Sequence, residues 1–398
     1  MPKIPVKSQI SHGQLSERVA NVSPSGIRKF FDLISSIDDV ISLGVGEPDF
    51  ITPWHIREAA IHSLEKGHTM YTSNQGLLEL RENIADYLKL YHEIQYNPKS
   101  EIIITVGVSE GLDIALRAIL NPGDEVIMPD PCYVAYPACT FLAGGIPVTI
   151  PTFEEYDFKI QLNDIEQKIT EKTKAILIGY PANPTGTVMT RDELIQIAEL
   201  AKQYNLLIIS DEVYGQLVYG TEHNCFASLP GIKDHTILLN GFSKTYAMTG
   251  WRIGYAAARQ DIIDAMIKIH QYTMLCASIM SQTAAIEALN HSEDDIELMV
   301  SEYDQRRRFM ITRLREIGLS CFEPKGAFYT FPSIKTTGMT SEEFAEKLLI
   351  EEKIAVVPGS AFGPCGEGYI RCCYATSLSE IEEALNRMGK FVKRHISK

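Results

Sequence analysis

The chain has 398 residues, of which 45% are apolar and 22% charged. Such a composition buries enough apolar surface to offset chain entropy, which excludes disorder. With 37 Lys and Arg against 51 Asp and Glu, the formal charge is −14. That argues against nonspecific nucleic-acid binding and still permits a small anion held by a few local cations. The length exceeds what one hydrophobic core usually serves, so two lobes are expected.

Lys3 and Lys7 are followed by no apolar run, so no secretory signal is expected. No stretch approaches the roughly 18 apolar residues of a membrane helix. The cysteines Cys132, Cys139, Cys225, Cys276, Cys321, Cys365, Cys372 and Cys373 form no C-x-x-C pair. They suit reduced thiols in a cytoplasmic enzyme rather than a metal site. Cys372 and Cys373 are expected to be adjacent strand residues facing opposite sides.

In chain order, Gly26–Ile34 is expected to be a helix docked on the smaller lobe. The runs Glu101–Thr105, Glu125–Pro129, Ala175–Gly179, Leu206–Ser210 and Thr236–Asn240 are short and rich in Ile, Leu and Val, as strands buried on both faces are. Between them lie helix patterns at Glu110–Leu120, stopped by Asn121-Pro122-Gly123, and at Arg191–Tyr204, where Thr190 and Glu193 form a capping-box pair. This alternation predicts a mostly parallel sheet covered by helices. Beyond it, Ile296–Ile317 reads as one long amphipathic helix whose Arg306-Arg307-Arg308 run is expected to face solvent. Strands at Ala327–Phe331, Ile354–Val357 and Tyr369–Tyr374, with helices at Ser341–Glu351 and Ser379–Val392, predict a smaller α+β lobe. Gly363 to Gly368 reads as a loop.

Ligands of open α/β sheets sit beyond the carboxyl ends of the strands. Four of the strands end in Val106-Gly107-Val108-Ser109, Tyr180-Pro181-Ala182-Asn183, Asp211-Glu212-Val213-Tyr214 and Gly241-Phe242-Ser243-Lys244. These supply an anion loop, an Asn turn, an Asp with a Tyr, and a Ser-Lys pair. A phosphate-bearing, nitrogen-containing ring with a carbonyl to be trapped by lysine uses all four.

The segment Gly241-Phe242-Ser243-Lys244-Thr245-Tyr246-Ala247-Met248-Thr249-Gly250-Trp251-Arg252-Ile253-Gly254 resembles the lysine signature of class I aminotransferases, pyridoxal-phosphate enzymes of fold type I. So do Gly44-Val45-Gly46-Glu47-Pro48-Asp49-Phe50, Tyr71 to Gly76, Asn183-Pro184-Thr185-Gly186, Asp211 to Tyr214, Val357-Pro358-Gly359 and Tyr369-Ile370-Arg371. The resemblance spans nearly the whole chain. It implies an α/β fold with a large lobe, residues 46–285, built on a mostly parallel seven-stranded sheet between helices. Residues 1–45 and 286–398 then form the smaller lobe.

The resemblance also implies roles. Lys244 forms a Schiff base with pyridoxal 5′-phosphate and moves protons at the substrate Cα. Asp211 keeps a proton on the ring nitrogen. Asn183 and Tyr214 bind the ring hydroxyl, and Tyr133 stacks on the ring. The phosphate falls to Ser243, Arg252 and the Val108 and Ser109 N–H groups, which open a helix. Arg371 takes the substrate carboxylate, with Gly44 as a second contact and Asn183 beside it. Tyr71 reaches the phosphate of a neighbouring subunit, which makes the active unit a homodimer. No metal, nucleic acid or membrane is implied.

The implied reaction passes an amino group from an L-amino acid to a 2-oxo acid such as 2-oxoglutarate. The resemblance is closest to the prokaryotic aspartate, aromatic and N-acetyl-diaminopimelate branch. Acidic-substrate members can carry a lysine in the phosphate loop, where this chain has Ser109 followed by Glu110. Ser25 to Phe30 resembles the aromatic and N-acetyl-diaminopimelate members more, and Ile27 and Phe30 are candidates for an apolar side-chain pocket. The expectation is therefore an aromatic or broad donor range, with aspartate as an alternative. Two rivals are a pyridoxal-phosphate C–S β-lyase, told apart by pyruvate release from cystathionine, and a non-catalytic ligand sensor. Sensors of that kind carry an added basic DNA-binding domain, which is not expected here.

Overall fold

A computed structural model describes residues 16–22 and 39–396. The expected helix at Gly26–Ile34 and the candidate pocket residues Ile27 and Phe30 lie outside the described residues. The central sheet has seven strands. These are β2 (Ile102–Thr105), β3 (Glu125–Asp130), β4 (Ile146–Pro151), β5 (Thr173–Gly179), β6 (Leu207–Asp211), β7 (Thr236–Gly241) and β8 (Gly254–Ala257), ordered β2-β8-β7-β6-β5-β3-β4. β8 runs antiparallel to both its neighbours, and the other pairs are parallel. The Ile- and Leu-rich runs form the strands expected of them because helices cover both faces of the sheet.

Two strands of this sheet carry no pattern that the sequence alone reveals. β4 lies on the sheet edge, is mostly exposed or half-buried, and contains Pro147 and Pro151, so it shows neither alternation nor a buried run. β8 is only Gly-Tyr-Ala-Ala, a segment of low strand propensity held in place by neighbours on both sides. The helix at Arg191–Gln203 carries the expected capping box between Thr190 and Glu193.

Beyond the sheet, a second layer combines a two-stranded parallel pair, β1 (Ile41–Ser42) with β10 (Ile354–Ala355), and an antiparallel sheet. The latter is ordered β11 (Val357–Pro358), β12 (Ile370–Cys373), β9 (Tyr329–Thr330). Helices at Glu293–Glu316, Ser341–Glu352 and Leu378–His395 close its core around Tyr303, Phe328, Phe344 and Phe391. Cys372 and Cys373 lie side by side in β12 and are both buried.

The Arg306–Arg308 run does not form the expected solvated face. Arg306 grips both oxygens of Asp49, at 2.9 and 2.8 Å. Arg307 is buried and pairs with Asp304 at 2.7 Å and Glu323 at 3.1 Å. Only Arg308 faces water, its side chain 72% exposed. Successive helix residues point about 100° apart, so three in a row cannot share one face. Accordingly, Arg307→Ala is expected to lower the unfolding free energy by about 2 kcal/mol, and Arg308→Ala by less than about 0.5 kcal/mol. Urea denaturation midpoints of the two variants check this.

Candidate active site

The carboxyl ends of β2, β5, β6 and β7 open on one cavity of about 890 Å³. At its β2 end a helix begins at Gly107, so the first-turn N–H groups of Val108 and Ser109 have no intrahelical acceptor. Gly107 has φ +76°, and a Cβ there would lie 2.5 Å from Arg252 Nη2. Only glycine lets the guanidinium approach so closely. Arg252 itself sits in the left-handed region at φ 52°, and its Nη1 donates to the Thr249 carbonyl at 3.0 Å. Buried Ser243 lines the same end. Orphan N–H groups, a hydroxyl and a guanidinium together make an anion cradle.

Glu110, next to Ser109, turns away from the cavity. One of its oxygens accepts from the Val106 N–H and the other faces Nδ1 of buried His270, each at 2.5 Å. Its carboxylate therefore fastens the strand–helix junction and does not enter the pocket.

Asp211 is the last residue of β6 and is buried. Its Oδ2 accepts from Tyr136 Oη at 2.9 Å and its Oδ1 from the Val213 N–H at 3.3 Å. Burial pushes its pKa up to about 6, against the pull of the Tyr136 hydrogen bond. Lys244 follows β7, and its Nζ donates to the Gly46 carbonyl at 2.6 Å. Desolvation between the Phe328 and Tyr214 rings, whose centroids lie 5.6 and 5.9 Å from Nζ, pushes its pKa down to about 8.

At the other wall, Arg371 projects from β12 and is buried. Its Nη1 donates to Asn183 Oδ1 at 2.9 Å and its Nη2 to the Gly44 carbonyl at 2.7 Å. Its Cζ lies 4.3 Å from the Tyr329 ring centroid and 4.9 Å from that of Phe362. Among the described residues its buried Nε has no partner.

Among the described residues, every one expected at the site lines this cavity except Gly44 and Tyr71. Gly44 reaches it indirectly, through its carbonyl on Arg371. Tyr71 stands apart, 83% exposed beside exposed Met70. Its segment is tied down by Asn74 Nδ2 donating to the Leu275 carbonyl and Gln282 Nε2 to Thr72 Oγ1.

Tyr136, Tyr329 and the Gly46 carbonyl were not anticipated. Tyr136 lies three residues after Tyr133, across the turn that leads into the helix Ala135–Leu142, and the two rings meet edge to face at 5.6 Å. The three-residue spacing was the available signal. For Tyr329 there was none, since its sequence neighbourhood reads as ordinary core strand.

Residues 38–388 match the family model for aminotransferase class I and II. An aspartate aminotransferase of Pyrococcus abyssi is 48% identical over 382 residues, covering 95% of this chain and 98% of that protein. An aromatic-amino-acid aminotransferase of Thermococcus litoralis is 47% identical over 382 residues, with the same two coverages. The crystal structure of an aromatic aminotransferase from Pyrococcus horikoshii superimposes with a TM-score of 0.88 at 46% identity, over 92% of this chain and 99% of that one. Family model, relatives and structure agree: the chain belongs to the class I and II aminotransferases.

Proposed function

We propose that the protein uses pyridoxal 5′-phosphate to move the α-amino group of an L-amino acid, aromatic or of broad range, to a 2-oxo acid such as 2-oxoglutarate. The observation that carries this reading is the cavity itself. It holds an anion cradle, a buried carboxylate accepting only from neutral donors, and a lysine whose ammonium is already destabilised. Each fits one end of the cofactor: the phosphate, the ring nitrogen and the aldehyde. When bound, the cofactor supplies an aldehyde for amines and a cationic ring that accepts electron density from the substrate Cα.

The rest is done by side chains. Ser243, Arg252 and the Val108 and Ser109 N–H groups hold the phosphate. Tyr133 covers the ring. Asn183 and Tyr214 bind the ring hydroxyl. Asp211, oriented by Tyr136, keeps a proton on the ring nitrogen. A buried carboxylate whose hydrogen-bond donors are both neutral favours such a partner strongly. Lys244 Nζ would hold the aldehyde carbon and, when free, would move a proton at the substrate Cα. Its lowered pKa, about 8, leaves about a tenth as free amine at pH 7, far more than an ordinary lysine. Arg371, braced by Asn183 and Gly44, presents its guanidinium to the substrate carboxylate.

The donor range rests on the aspartate and aromatic relatives and on Ser109 standing where a lysine would meet an acidic side chain. We divide the chain into a large lobe at 46–285 and a small lobe from 1–45 and 286–398. Exposed Tyr71 and its exposed neighbour Met70 support a homodimer in which Tyr71 reaches the neighbouring phosphate, since large apolar side chains at a surface favour burial. The cysteine usage supports a cytoplasmic setting.

Lys244→Ala is expected to cut amino transfer by about 10³-fold or more and to leave the circular dichroism spectrum unchanged. Initial rates for a panel of amino donors with 2-oxoglutarate measure the donor range, and aromatic donors are expected among the fastest. Asp211 gives a pH prediction. Its folded pKa of about 6 stands above the usual 3.8, so the native state binds its proton more tightly than the unfolded chain. The stability from that proton is present below pH 3.8 and lost as pH rises through 6. Freed of cofactor, Asp211→Asn is therefore expected to be more stable than the parent at pH 7.5, by up to about 3 kcal/mol. Melting curves should show the gap closing by pH 4.

A further inference from the structure

We propose that Tyr329 is a positioning residue that sets the direction of the Tyr214 hydroxyl and seats the Arg371 guanidinium. One side chain of the small lobe thereby serves both the ring end and the carboxylate end of the site. The proposal rests on the reading of the site given above.

Tyr329 lies in β9 opposite Cys373 of β12. Arg371 is two residues before Cys373 on the same strand, so it shares a face with Cys373 and is the diagonal neighbour of Tyr329. Accordingly its Cζ stands 4.3 Å from the Tyr329 ring centroid, within reach for a cation on a ring face. At the other end of that ring, Tyr329 Oη is 2.8 Å from Tyr214 Oη. The hydroxyl is fitted closely against the chain, for a Cβ on Gly46 would lie 2.5 Å from it. The carbonyl of that same Gly46 accepts from Lys244 Nζ.

Both tyrosines are buried, and burial raises both pKa values above the ordinary phenol range. Two neutral hydroxyls therefore face each other, and one must donate to the other. The other titratable neighbours of Tyr329, Tyr133 and Cys373, are also held neutral by burial. Arg371 favours the ionised form of both phenols, but its guanidinium stands directly against the Tyr329 ring, which makes Tyr329 the favoured donor of the pair. With Tyr214 accepting from Tyr329, the Tyr214 proton is left to turn toward the ring hydroxyl, and its donation is strengthened by the bond behind it. A stronger donor at the ring oxygen draws charge away from the neighbouring nitrogen contributed by Lys244, which then holds its proton less tightly.

The test uses the cofactor-loaded enzyme and follows the pH midpoint of its visible absorbance band together with steady-state kinetics. Tyr329→Phe keeps the ring under Arg371 and removes only the hydroxyl. Its midpoint is expected to move up by about half a pH unit, in the direction Tyr214→Phe moves it but less far. Its kcat is expected to fall several-fold, with KM for the amino donor within about twofold of the parent. Tyr329→Leu also removes the ring, and KM is expected to rise about tenfold. A Tyr329→Phe midpoint that coincides with the parent's, while Tyr214→Phe shifts it, overturns the hydroxyl role. A Tyr329→Leu KM no higher than that of Tyr329→Phe overturns the seat. A parent enzyme without any pH-dependent visible band overturns the cofactor reading instead, so the two failures are distinguishable.

Discussion

The site depends on a close approach of backbones across three strands. Gly254 of β8 pairs with Thr105 of β2 on one side and with Gly241 of β7 on the other. A Cβ on Gly254 would lie 2.9 Å from the Gly107 carbonyl carbon and from the Val108 nitrogen, and one on Gly241 would lie 3.0 Å from Val108 Cγ2. Gly107 in turn leaves room for Arg252. Absent side chains at these three positions bring the helix N-terminus, the arginine before β8 and the lysine after β7 to one point. The sheet order makes this convergence unavoidable, because β8 is wedged between the two strands that carry the other groups.

Around that point the protein accepts unfavourable electrostatics. A carboxylate is buried with only a phenol and an amide as donors, and a lysine is stripped of water until its pKa drops to about 8. In an acidic chain of charge −14, Lys244, Arg252 and Arg371 form a local cationic exception with Asp211 among them. A ligand that brings a phosphate, a basic ring nitrogen and an electrophilic carbon relieves each of these costs, so binding energy and catalytic arrangement come from the same groups.

How much could be read beforehand depended on what each residue type is used for. The parallel strands were visible because burial on both faces leaves runs such as Ile102 to Ile104 and Ile208 to Ile209 with no polar interruption. β4 and β8 were not, since one is a partly polar edge and the other is too small-residue-rich to announce a strand. Lys244, Asp211 and Arg371 stood out because their motifs are specific. Tyr136 and Tyr329 were hidden: a tyrosine that orients a carboxylate looks the same in sequence as one that fills a core. The three arginines misled for a different reason. Charge suggested solvent, whereas buried Arg307 and the Arg306–Asp49 fork depend on partners distant in sequence.

That fork has a mechanical consequence. The helix Glu293–Glu316 has 24 residues and is therefore a rod about 36 Å long. Near its middle, Arg306 holds both oxygens of Asp49, three residues from the Gly46 carbonyl that receives Lys244. Farther along, the helix packs through Leu314 into the core it shares with Phe391 of the C-terminal helix. A stiff rod does not absorb a tilt applied at one end. One continuous helix thus ties the segment that carries the lysine's carbonyl partner to the core beneath the C-terminal helix, two regions far apart in the chain.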